Sequence, residues 1–181
     1  MEMAGHLTSE NMESGTIDLD LLGLRSGQGE VVSARVEPAA PVVGGIELGL
    51  EDDGVEARVE VSRTSSGFAL RLLAEVTIAG SCMRCLEPAT LRIPIESREV
   101  DHPGASDSEL KSPYVDDGLL DLGGWLHDAI TLGLPEQLLC RSDCAGICPD
   151  CGINLNDVGP EGHRHEPAPD PRFAKLRELE E

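Results

Sequence analysis

Apolar and polar residues alternate through much of the first hundred positions, and that period of two predicts β-strands with one buried face. After VVSARVEP, which starts at Val31, comes a Pro/Gly hinge (Pro38, Pro41, Gly44, Gly45) and then IELGLE. In VEARVEVSR the apolar set is Val55, Ala57, Val59 and Val61. Beyond the turn residues Ser65, Ser66 and Gly67, FALRLLAEVTIAG repeats the pattern with Phe68, Leu70, Leu72, Ala74, Val76 and Ile78. Two such runs joined by a short turn predict a β-hairpin. A third run, LRIPIESREV, keeps Leu91, Ile93 and Ile95 in phase. Its Pro94 has no N–H to give a ladder, which predicts an edge strand. The second and third runs are linked by GSCMRCLEPA.

The period then changes. Residues 101–118 are acidic and punctuated by Pro and Gly, which predicts a loop. Over residues 119–134, Leu122, Leu126, Ala129 and Ile130 recur at helical spacing and Pro135 ends the run, so one helix is expected to pack on the sheet. Further on, Asp170 is a suitable N-cap with Pro171 at the first helical position, and Phe173, Leu176 and Leu179 would form the apolar side of a short C-terminal helix. The fold class expected is α+β: a mainly antiparallel sheet or partial barrel with one packed helix and a zinc-binding C-terminal segment. The expected division is a disordered lead-in over 1–16, an α+β domain with a Cys-x2-Cys hairpin over 17–138, and a metal-binding segment with its short helix over 139–181.

Composition narrows this. Only four residues of 181 are aromatic, so the core must be built from aliphatic side chains, and a bound ion would help so thin a core. MEMAGHLTSENMESG lacks a basic n-region and an apolar h-region, and no run of about 20 apolar residues occurs, so a cytoplasmic location is expected. The net charge of −20 is uneven: residues 61–98 hold Arg63, Arg71, Arg84, Arg92 and Arg98 and are locally basic. A broad phosphate-binding surface is therefore excluded. Arg84 lies inside the first cysteine pair with Arg71 and Arg92 on the flanking strands, and these three are the candidate RNA contacts, pictured as a short basic ridge.

Six cysteines fall in two clusters, Cys82/Cys85 and Cys140/Cys144/Cys148/Cys151. In a reducing compartment clustered thiols serve as metal ligands or redox groups rather than disulfides. Each Cys-x2-Cys turn can aim two thiolates at one ion, and Cys140 and Cys144 have the spacing of a helical turn. His163 and His165 add two imidazoles, which gives eight ligands, enough for two tetrahedral zinc sites. Two pairings are open. All four late cysteines can share one ion, or Cys82, Cys85, Cys140 and Cys144 hold one while Cys148, Cys151, His163 and His165 hold another. The second leaves no thiol pair idle. A thioredoxin-like redox role needs a βαβ context that is missing here. No Gly-rich phosphate loop, Gly-x-Ser-x-Gly or His-Glu-x-x-His occurs, and His127 beside Asp128 reads as a surface pair, so no catalytic residues are expected.

The order of motifs, CMRCLEP, DLGGWLHDAITLGLP, LCRSDCAGICPDCGINLN and DPRFAKLREL, resembles the YceD family of large ribosomal RNA subunit accumulation proteins across about residues 17–179. Where that family commonly carries Cys-x-Cys after NLN, this chain has His163-x-His165, a swap between zinc-compatible residues. The resemblance implies a non-catalytic role in accumulation or processing of 23S ribosomal RNA and in large-subunit assembly. It implies an RNA precursor or a basic ribosomal protein as partner, with neither a membrane nor a small-molecule substrate. A thiol-based redox enzyme or zinc redox sensor, and a transcription-related zinc module, are the rival readings.

Overall fold

The structure is a computed structural model that describes residues 15–159 and 162–165. The helix expected from Asp170, and all of the expected lead-in except Gly15 and Thr16, lie outside the described residues. Among the described residues, ten strands and two α-helices are formed. They are β1 (Thr16–Asp18), β2 (Gly29–Val36), β3 (Val42–Val43), β4 (Ile46–Glu47), β5 (Gly49–Leu50), β6 (Val55–Arg63), β7 (Phe68–Ser81), β8 (Pro88–Asp101), β9 (Val115–Asp116), β10 (Leu119–Asp121), α1 (Leu122–Gly133) and α2 (Leu155–Val158).

The main sheet is antiparallel and organised around β7. One edge of β7 pairs with β8 along all fourteen residues, from Phe68↔Asp101 to Ser81↔Pro88. Its other edge is shared, with β6 covering Phe68 to Ala74 and the two-residue β5 covering Ile78 and Ala79. β2 completes the sheet beyond β6. Pro94 sits on β8, whose only strand partner among the described residues is β7, so the missing N–H falls where the sheet ends.

Alternation along the strands does what the period of two predicts. Val55, Ala57, Val59, Val61, Phe68, Leu70, Leu72, Val76, Ile78, Ile93 and Ile95 are all buried on one face. Against that face lies α1, which buries Leu122, Trp125, Leu126 and Ile130. Each fully buried aliphatic side chain of this kind contributes about 1.5–3 kcal/mol. Trp125 fills the centre and donates its indole N–H to Ser97 Oγ at 2.9 Å, so its polar edge is satisfied. The architecture is thus a mainly antiparallel sheet with one main helix, an α+β fold.

The helix starts three residues later than its spacing predicts. Residues 119–121 form β10, paired with β1 and β9 in a small second sheet. The reason is local: Leu120 is fully buried while Leu119 is 47% exposed, which is a strand alternation. Asp121 then caps the helix, its Oδ1 accepting from the Gly124 N–H at 2.9 Å. A Cβ at Gly124 would meet Asp121 Oδ2 at 2.6 Å, so the glycine that weakens helix propensity is what admits the cap. The acidic loop also carries local order, a 3-10 turn at Ser108–Leu110 and strand β9. Among the described residues no helix is long and apolar enough to cross a membrane.

Candidate metal centre

The turn joining β7 to β8 is the first cysteine knuckle. Cys82 N–H donates to Glu87 O at 2.8 Å and Leu86 N–H returns to Cys82 O at 2.9 Å. The CPDCGI turn repeats both bonds: Cys148 N–H to Ile153 O at 2.8 Å and Gly152 N–H to Cys148 O at 2.9 Å. The residue after the second cysteine has positive φ in both, 64° at Leu86 and 75° at Gly152. Glycine adopts that conformation freely, whereas leucine costs about 1–2 kcal/mol there. One backbone shape is therefore built from two unlike sequences, and the first is held at a conformational cost.

The two knuckles organise eight ligand-type side chains into two groups. Cys82, Cys85, Cys140 and Cys144 have their sulfurs within 4.8 Å of one another, as do the ligand atoms of Cys148, Cys151, His163 and His165. These are the groups of the second pairing scheme. In the first, Cys82 and Cys144 Sγ lie 3.7 Å apart and Cys85 and Cys140 Sγ 3.5 Å apart. Four thiolates at about 2.3 Å from a tetrahedral zinc are separated by about 3.8 Å, so the spacing fits such an ion. Cys82, Cys85 and Cys144 are buried and Cys140 is the most exposed of the four. In the second group Cys151 Sγ and His163 Nε2 are 3.3 Å apart, against about 3.5 Å for sulfur and nitrogen on one zinc. The two imidazoles meet edge to face with centroids 4.5 Å apart. Both clusters are therefore arranged so that they could hold a metal ion, the second nearer solvent than the first.

Four crowded thiols cannot all ionise without a cation, and they divide accordingly. Burial works against the Cys82 thiolate, but backbone N–H groups of Cys140, Cys85 and Arg84 outweigh it and bring the thiol down to about 6. Cys144 is also held below the ordinary thiol value, first by the Asn156 amide. Cys140 is pushed up to about 12, chiefly because its proton is shared with Cys85. A divalent cation removes this conflict, because it lets all four ligate as thiolates.

Asn156 is a residue that ligand spacing does not reveal. Its Nδ2 donates to Cys144 Sγ at 3.4 Å and to Asn154 Oδ1 at 2.8 Å. Its Oδ1 accepts from Ala145 N–H at 2.8 Å and from Arg141 at 2.7 Å. The sequence signal is the NLN run, in which Asn154 caps the four-residue α2.

The arginines do not form a ridge. Arg71 lies ten residues along β7 from Ser81, about 33 Å at the strand rise, so it cannot share a surface patch with Arg84. Arg71 also bridges Glu60 at 3.3 Å and Glu96 at 3.0 Å, and Arg92 pairs with Glu75 at 3.4 Å. These pairs belong to the solvent face of the sheet, where Arg35, Arg58 and Arg98 are likewise paired with glutamates. Arg84 stands apart, exposed in the knuckle with one N–H on Cys144 O at 3.2 Å.

Comparison with known proteins places this sequence in a family. The model of the family described as "Large ribosomal RNA subunit accumulation protein YceD" matches residues 70–180, a span that holds both clusters. The chain is similar to an uncharacterized protein of Mycobacterium tuberculosis, 33% identical over 171 residues that cover 91% of this chain and 80% of the relative. A Mycobacterium leprae relative is 28% identical over 169 residues, 90% of this chain and 76% of its own length. A maize relative, "Large ribosomal RNA subunit accumulation protein YCED homolog 1, chloroplastic", is 25% identical over 185 residues, 84% of this chain and 57% of its own length. No solved structure matches the chain significantly. With more than half its length inside the family model and both cysteine knuckles within the match, the chain belongs to the YceD family of large ribosomal RNA subunit accumulation proteins.

Proposed function

We propose that this protein is a zinc-dependent, non-catalytic factor of the cytoplasm that supports 23S ribosomal RNA accumulation and large-subunit assembly by binding. The observation that carries the reading is the pair of four-ligand clusters inside the family match. Thiolate-rich tetrads that offer four side-chain ligands are closed sites, which stabilise structure and leave no position for an activated water. The ions would be held by Cys82, Cys85, Cys140 and Cys144 in one site and by Cys148, Cys151, His163 and His165 in the other. Zinc supplies a redox-inert cross-link there, and the chain supplies the surface. That surface is strongly acidic, −20 overall, so a basic ribosomal protein is a natural contact alongside precursor RNA. Arg84, exposed at the first knuckle, is the arginine best placed for a phosphate.

Two measurements test this. Elemental analysis of the purified protein should return two zinc ions per chain; a metal-free protein with reactive thiols would instead favour a thiol redox role. In cells, depletion should lower mature 23S RNA, and the protein should co-sediment with large-subunit precursors. Arg84→Glu, which leaves both clusters intact, should weaken that co-sedimentation. Unchanged sedimentation of the folded variant would move the contact to the acidic surface and a basic protein.

A further inference from the structure

We infer that the two clusters load cooperatively, with Asn156 as the positioning residue that transmits filling of the Cys/His cluster to the thiolate cluster. The inference rests on the two-zinc reading above and goes beyond it, because two ions can be bound with no energetic link between them.

The argument begins with where Asn156 is anchored. It sits one turn past the second knuckle, and that knuckle's geometry places it. Cys148 N–H bonds Ile153 O, Ile147 and Asn154 form an isolated antiparallel bridge, and Leu155 N–H bonds Gly146 O at 2.9 Å. An ion on Cys148 and Cys151 closes this loop and so fixes the position of Asn156. The side chain then acts on the other cluster. Its Nδ2 donates to Cys144 Sγ, and its Oδ1 holds the Ala145 N–H and the Arg141 guanidinium, on either side of Cys144. Both amide hydrogens and both acceptor lone pairs are used, so the side chain has one orientation rather than several.

Hydrogen bonds to a ligating thiolate and the partners that orient it change metal affinity by about 10–100-fold. If the second cluster is empty, the loop is free to open and that contribution has to be paid for in ordering entropy each time the first cluster closes. If it is filled, the ordering is already in place. Coupling of this kind is reciprocal, so the thiolate ion must equally favour filling of the Cys/His cluster.

The experiment follows exchange of isotopically labelled zinc from the purified full-length protein against an excess of unlabelled zinc, which keeps the Cys/His cluster filled while the thiolate-cluster ion leaves. Wild type should carry two ions and release them in two phases, the slow phase from the buried thiolate cluster. The double variant Cys148→Ser/Cys151→Ser should carry one ion and release it about 10–100-fold faster than the wild-type slow phase. Asn156→Asp keeps both acceptor bonds and loses the two Nδ2 donations, to Cys144 Sγ and to Asn154 Oδ1, so it should keep two ions while accelerating the slow phase. Combined with the double variant it should add little further acceleration. If Asn156→Asp does not retain two ions, Asn156→Ser, which keeps an acceptor for the Ala145 N–H, takes its place. A slow phase unchanged in the Cys148/Cys151 variant overturns the coupling, and one unchanged in the Asn156 variants overturns the role of Asn156. A wild-type protein without zinc overturns the functional reading itself, a distinct outcome.

Discussion

Removal of the thiolate-cluster ion should free residues 139–159 while the sheet stays folded. Little else holds that segment. Between residues 139 and 159 the buried apolar side chains are Cys144 and Cys148, both members of the candidate metal clusters. Just ahead, buried Leu138 contributes about 1.5–3 kcal/mol. Ties to the β7–β8 turn are Met83 N–H to Leu138 O, Ile147 N–H to Arg84 O and Arg84 to Cys144 O, each worth about 0.5–1.5 kcal/mol. A structural zinc contributes about 10–16 kcal/mol in apparent binding free energy, more than these together. The sheet has its own support in the fourteen-residue β7–β8 ladder and in Val59, Leu72 and Trp125 around its core. Hydrogen exchange on Cys82→Ser, and on wild type stripped with a strong chelator, reads the outcome. The amides of Ile147, Cys148 and Leu155 should lose at least about a thousandfold protection, equivalent to about 4 kcal/mol, while those of β6 and β7 change by less than about tenfold. Joint loss of protection in the sheet and the segment would show that site and core form one cooperative unit. Full protection in the stripped protein would show that the ion does not order the segment.

Three further outcomes follow from the same geometry. Tyr114, the one tyrosine, stacks on Trp125 and donates to Asp128 at 2.9 Å, and burial first, then Asp128, pushes it up to about 12. Because its folded value is raised, its contribution to stability is present below about pH 10 and lost as pH rises through about 12, so tyrosinate absorbance should appear with a midpoint near 12; a midpoint near 10 refutes the packing. Glu96 is held below the usual carboxylate range by Arg98 and then Arg71, so its contribution persists above that range and fades as pH falls through the lowered value. Carboxyl NMR titration should show that depression, and Arg98→Ala should reduce it. Gly152→Ala meets nothing within 4 Å, so its cost is conformational alone, about 1 kcal/mol, and should read as a several-fold faster release of zinc from the Cys148 cluster; an unchanged rate would mean that the positive φ is not required there.

Much of this protein is legible in its residues because the signals are periodic or chemical. Strict alternation in β6 and β7 specifies which face is buried, since a one-residue slip would expose Val59 and Leu72 together. Cys-x2-Cys turns are equally local, and the two knuckles take the same backbone shape despite sharing only their cysteines. What the sequence leaves open is long-range. Residues 119–121 share an apolar run with the helix, and pairing with β9 and with β1, the latter about a hundred residues earlier in the chain, makes them a strand. Which cysteines share a site was open between two schemes, because it depends on how the segment after Leu138 returns to the β7–β8 turn. The arginines show the limit most clearly. Arg71, Arg84 and Arg92 look like one basic patch along the chain, but a strand advances about 3.3 Å per residue, and cross-strand register brings glutamates to Arg71 and Arg92. Local chemistry thus names the candidate ligands and the buried face, and tertiary packing decides the partners, because those contacts join residues that the chain itself holds far apart.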